Sequence, residues 1–123
     1  MVDSGHEDLT VYQFSQEFVE AIVEAVDDLS QEEDQFIIQR ILKSAKNIPL
    51  YIVQAMDGRG DAEKFANTIT EAIGETVEVE VWLAVAKKEG QLLKEDCEDF
   101  SRDCEEISRL LYRLLNQADG LNM

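Results

Sequence analysis

Residues 35–60 read QFIIQRILKSAKNIPLYIVQAMDGRG and form the most apolar part of a charged chain. Apolar side chains fall at Ile37, Ile38, Ile41, Leu42, Ala45, Ile48, Ile52, Val53, Ala55 and Met56. Steps of three and four are helical, and a stripe this wide touches neighbours on more than one side. The single proline, Pro49, sits in its middle. A proline inside a helix removes one backbone hydrogen bond and crowds the carbonyl four residues back, here that of Ala45, at about 3 kcal/mol. The helical period continues on both sides of Pro49, so the sequence predicts one helix with a kink there. The alternative is a helix ending at Ile48, with Pro49 opening another. The stop is Asp57-Gly58-Arg59-Gly60, where a glycine tolerant of positive φ follows the last apolar position.

Upstream, Leu9, Val11, Phe14, Phe18, Ile22, Ala25, Val26 and Leu29 mark an amphipathic helix over 8–29, with acids between them. Residues 1–7 read as a disordered polar tail, and its His6 is given no role. Ser30-Gln31-Glu32-Glu33 has the form of a capping box, which starts the second helix at 31 and runs it to 57.

Downstream, Asp61 is the expected N-cap of a third helix over 61–89. Val77-Glu78-Val79-Glu80-Val81-Trp82-Leu83 alternates like a strand, but it would have no partner strand, and the helical period runs through it. Gly74 costs about 1 kcal/mol against alanine in mid-helix, which predicts a close approach of a neighbouring helix. Lys87, Lys88 and Gly90 close the helix. The fourth helix, 94–116, continues a seam of Leu93, Cys97, Phe100, Cys104, Ile107, Leu111 and Leu114 at heptad spacing. Residues 118–123 read as a C-terminal tail. Four long amphipathic helices with short links predict an all-α, antiparallel up-down-up-down four-helix bundle over 8–117.

The chain has 123 residues, one domain by length. Its 27 acids against 11 Lys and Arg give a formal charge of −16, which repels nucleic acid and anionic membranes. No apolar run reaches the roughly 20 residues of a membrane span. The acidic N-terminus is no signal peptide, so the expected location is cytoplasmic. Cys97 and Cys104 are two helical turns apart, about 10 Å, too far for a disulfide in place. They read as two small buried hydrophobes.

No catalytic constellation is visible, and no cofactor or metal is expected. Glu71, Glu75 and Glu78 share a helix face, but a di-metal bundle needs helical histidines, and the one histidine, His6, is expected in the tail. The cations, by contrast, are ordered. Arg40, Lys43 and Lys46 form a line on the second helix, and Arg102, Arg109 and Arg113 share a face of the fourth. Either set is a phosphate-binding stripe or a set of ion-pair partners for the abundant acids, and the acid excess favours pairing. Leu50 and Tyr51, like Val79, Val81 and Trp82, lie partly off the main stripes. They either widen the core or form a subunit interface, with Tyr51 and Trp82 the leading interface candidates.

The wording of these helices resembles a family of small bacterial four-helix bundle proteins. These are products of intervening sequences in large-subunit ribosomal RNA genes, and their superfamily includes the accessory variability determinant of diversity-generating retroelements. The resemblance is carried by Asp8-Leu9 with Tyr12, by Asn47-Ile48-Pro49-Leu50-Tyr51-Ile52, by Glu63-Lys64-Phe65, and by residues 104–111, CEEISRLL. It covers residues 7–117. Gln54 and Ala55 depart from it where the family has an acid and a glycine, and its basic run is reduced to Arg59 and Lys64. The resemblance implies an antiparallel bundle assembled as a ring-shaped homopentamer. Its retroelement members are basic adaptors that bind nucleic acid and reverse transcriptase. The expectation is a non-enzymatic, homo-oligomeric adaptor or scaffold whose acidic surface binds a basic protein. The alternative is a nucleic-acid-binding accessory protein acting through the two cationic stripes.

Overall fold

Four amphipathic segments can bury their stripes together only by packing side by side. The computed structural model describes residues 4–27, 29 and 35–121, with side chains over 9–27, 29 and 35–117. Its helices are α1 (Ser4–Asp27), α2 (Phe36–Asp57), α3 (Ala62–Glu89) and α4 (Lys94–Leu121). Each helix packs on its neighbours in the chain and α4 returns to α1, while the diagonal pairs make no close backbone approach among the described residues. Short links between such neighbours make them antiparallel.

The stripes meet along the bundle axis. Ile22, Ile38, Ile41, Ile48, Ile52, Ile69, Leu83, Ile107 and Leu111 are fully buried. Each contributes roughly 1.5–3 kcal/mol by leaving water. Phe18 of α1 meets Phe100 of α4 edge to face, with ring centroids 6.1 Å apart. Cys97 and Cys104 are unpaired and buried on the same seam.

α2 runs without a break through Pro49, so the reading in which a helix ends at Ile48 is excluded. The strand-like segment 77–83 is helical throughout. Its Val79 is fully buried rather than off the stripe, because it continues the core line of Ala72, Thr76, Leu83 and Ala86. Asp61 caps α3, its carboxylate accepting from the Lys64 N–H at 3.2 Å. Gly90 closes α3 at φ 70°. The Gln91 N–H reaches back to the Ala86 carbonyl at 2.9 Å and the Gly90 N–H to that of Lys87 at 3.3 Å. That is the left-handed stop glycine provides.

Other expectations are corrected. Gly58 ends α2 at φ −93°, not at a positive φ. Its N–H is shared between the Gln54 and Ala55 carbonyls, both at 3.1 Å, which satisfies the helix end without a left-handed residue. Leu93, expected on the seam, is exposed, and it is Leu92 beside it that is buried. Both precede the first helical residue, Lys94, so the helical period does not place them. α2 is helical from Phe36 with Gln35 as its N-cap, later than the expected start at 31. The capping box at 30–33 and the side chain of His6 lie outside the described residues. The helical backbone of α1 begins at Ser4 and that of α4 ends at Leu121, each a few residues beyond the expected limits, since adding a turn to an existing helix is cheap.

Gly74 makes no close approach. It is exposed, and a methyl group added there meets nothing within 4 Å. Within the single chain, Gly74→Ala is therefore expected to stabilise the fold by about 1 kcal/mol, read from the denaturant midpoint.

Candidate functional site

The groove between α2 and α3 holds the first cationic line. Arg40 and Lys43 line a cavity of about 260 Å³ with Ser44, Asn47, Glu75 and Glu78. Arg40 Nη2 lies 3.5 Å from Glu78 Oε1, and Asn47 Nδ2 donates to Glu75 Oε2 at 2.9 Å. The Arg40 guanidinium also lies over the rings of Phe36 and Trp82, at 5.8 and 5.6 Å from their centroids. These two rings pack edge to face at 5.8 Å. An arginine stacked on aromatics and tied to a carboxylate is held rather than free to search for a phosphate. Lys46 is exposed outside this groove. Neither Lys43 nor Lys46 is within ion-pair distance of an acid among the described residues.

The second line is dispersed. Arg102 pairs with Asp99 and Arg109 with Glu106, one turn apart on α4. Arg102 lines a groove of about 270 Å³ between α3 and α4, with Glu80, Lys87, Cys97, Glu98 and Glu105. There Lys87 Nζ sits 2.9 Å from Glu98 Oε2. Its hydrogen bond holds the Glu98 carboxyl below the usual range. Glu80 is pushed upward, by burial first and then by the Glu105 charge. Arg113 lies further along, in an open hollow of about 620 Å³ lined also by Arg109, Tyr112, Asn116 and Gln117. The six predicted cations thus occupy four separate places. Three of them, Arg40, Arg102 and Arg109, are paired with acids.

Tyr51 and Trp82 each pack partly on the core and stay partly exposed. The aromatic cluster around Arg40 was not read from the sequence. Phe36 and Arg40 are four apart on α2, but their meeting with Trp82 depends on the register between α2 and α3, which helical periodicity does not set.

Burial pushes the Cys97 thiol upward and raises Cys104 much further. Such thiols are poor nucleophiles. Both are expected to resist a thiol reagent in the native protein and to react on unfolding, as followed by colorimetric titration. Among the described residues no three His, Cys, Asp or Glu side chains are placed to hold a metal ion. No helix there is long and apolar enough to cross a membrane.

Glu80 gives a pH dependence. Its carboxyl ionises less readily folded than unfolded, so it removes stability as pH rises through its folded pKa, and removes none below its unfolded pKa. Glu80→Gln should raise the unfolding midpoint at neutral pH, and the difference should vanish in acid.

The geometry defines an acidic four-helix bundle whose surface carries short, paired charge clusters in its interhelical grooves. This chain belongs to the 23S rRNA-intervening sequence protein family, whose model matches residues 7–113. Among solved structures it is similar to a protein of unknown function from the S23 ribosomal protein family of Bacteroides thetaiotaomicron. The two are 27% identical with a TM-score of 0.82, and the match covers 89% of this chain and 98% of the other. No curated protein matches the chain.

Proposed function

We propose that the protein is a non-enzymatic adaptor or scaffold that assembles as a homo-oligomer and binds a basic protein through its acidic surface. The asymmetry of charge carries this reading. α1 exposes Glu17, Glu20, Glu24 and Asp27 and contains no Lys or Arg. On its neighbour α4, Glu95, Asp99 and Glu105 are exposed. Only α2 is net cationic, with Arg40, Lys43 and Lys46 against Asp57. A carboxylate-rich face steers cationic partners and rejects phosphates. The resemblance to ring-forming relatives supports assembly, with five copies as the number it implies. The compartment proposed with it is the cytoplasm.

The test is titration of a lysine-rich peptide, followed by fluorescence anisotropy at low and physiological salt. Binding is expected at low salt and should weaken with added salt. Reversing Glu17, Glu20 and Glu24 to lysine should reduce it at least tenfold. Equal binding of an acidic peptide, or no effect of the reversal, would contradict the reading.

A second reading, an accessory protein that binds nucleic acid through α2 and α4, is favoured by one observation. Lys43, Lys46 and Arg113 form no ion pair among the described residues.

A further inference from the structure

The outward face of α3 is at odds with the rest of the surface. Asn67, Thr70, Gly74, Val77, Val81 and Ala84 follow steps of three and four, and all six are exposed and uncharged. Val77 and Val81 are 52% and 55% exposed in a chain of which 31% is charged. The ridge is about 26 Å long by the helical rise. Gly74 at its centre has no use within the chain, since nothing lies within 4 Å of an added methyl. A glycine there does lower the ridge and would let another helix approach closely. Glu71 and Glu80 rim the ridge, and Glu78, already paired with Arg40, borders it on the α2 side.

The apolar half of this ridge, Val77, Val81 and Ala84, with acids on its rims, fits a helix whose exposed apolar side chain lies in line with cations. The chain carries one. On α2, Leu50 is 52% exposed and lies in line with Lys46 and Lys43, at steps of four and three. Those two lysines lack ion-pair partners among the described residues. We infer that the α3 ridge of one copy receives the α2 face of a second copy, with Val77 and Val81 against Leu50 and the lysines toward the acidic rims. This surface assignment rests on the self-assembly proposed above. Two different faces meet, so the contact is head-to-tail and propagates into a ring or a filament.

Light scattering on two variants tests it, with circular dichroism to confirm that both remain helical. Val77→Glu with Val81→Glu breaks the ridge, and Lys43→Glu with Lys46→Glu breaks the opposing face. Each variant alone should fall to the mass of a single chain. Mixed, they should form a one-to-one pair that grows no further, because one intact ridge and one intact α2 face remain. If either variant keeps the wild-type mass, the surface assignment is wrong while self-assembly stands. If both dissociate but form no pair on mixing, the head-to-tail contact is wrong. If the wild-type protein is itself a single chain, self-assembly fails and the surface with it.

Discussion

Replacing Ile41 by alanine should cost about 2–5 kcal/mol of stability. Ile41 is fully buried in the second turn of α2, the helix that packs on both α1 and α3. The loss has two parts. The removed methyl and methylene groups forfeit their transfer free energy, and the space they leave stays empty unless neighbours collapse into it. The side chains one turn away on the same stripe, Ile38 and Ala45, are themselves buried in the core cluster, so collapse is limited. Against a total of roughly 5–15 kcal/mol for a domain of this kind, a large share of the fold's stability would go. Urea unfolding should show a lower midpoint with an unchanged slope. A loss below about 1 kcal/mol would mean that this core is loosely packed, since such small costs belong to surface positions.

Pro49→Ala should move stability the other way. Pro49 lies inside an unbroken helix, where it donates no hydrogen bond to the Ala45 carbonyl. An interior proline costs about 3 kcal/mol against alanine. Alanine in turn loosens the unfolded chain, which returns up to about 1 kcal/mol to the unfolded state. The expected net gain is about 2 kcal/mol. A gain of this size with the assembled mass unchanged would show that the proline does not specify the assembly. A loss of stability would mean that the bundle is built around the geometry Pro49 imposes.

Much of the fold was legible because helical periodicity assigns faces residue by residue. The stripe through Ile41, Ile48 and Ile52 and the seam through Cys97, Cys104 and Leu111 both became core. The alternating segment 77–83 was readable as helix because the period continued on either side. Periodicity failed where the helix had not begun, and Leu93 therefore lies off the seam. It also failed at Gly74, whose helical cost predicted a close approach that no other helix of the chain makes among the described residues. The candidate site was less legible for a different reason. Periodicity places Arg40 on a face of α2, but its partners Glu78 and Trp82 are fixed by the register between α2 and α3. That register is set by packing of the whole bundle. The spacing of Arg102, Arg109 and Arg113 suggested one stripe, yet Asp99 and Glu106, each three residues earlier, divide it.

The acidic-adaptor reading turns on whether the cations are available to phosphate. The direct measurement is binding of the purified protein to structured RNA and to duplex DNA, titrated at low and at physiological salt. The account predicts no binding at either salt, because the acidic field dominates and three of the six cations are already paired. Binding at low salt that weakens steeply as salt is added would contradict it. Arg40, Lys43, Arg109 and Arg113 would then be the residues to replace, and the nucleic-acid reading would stand in its place.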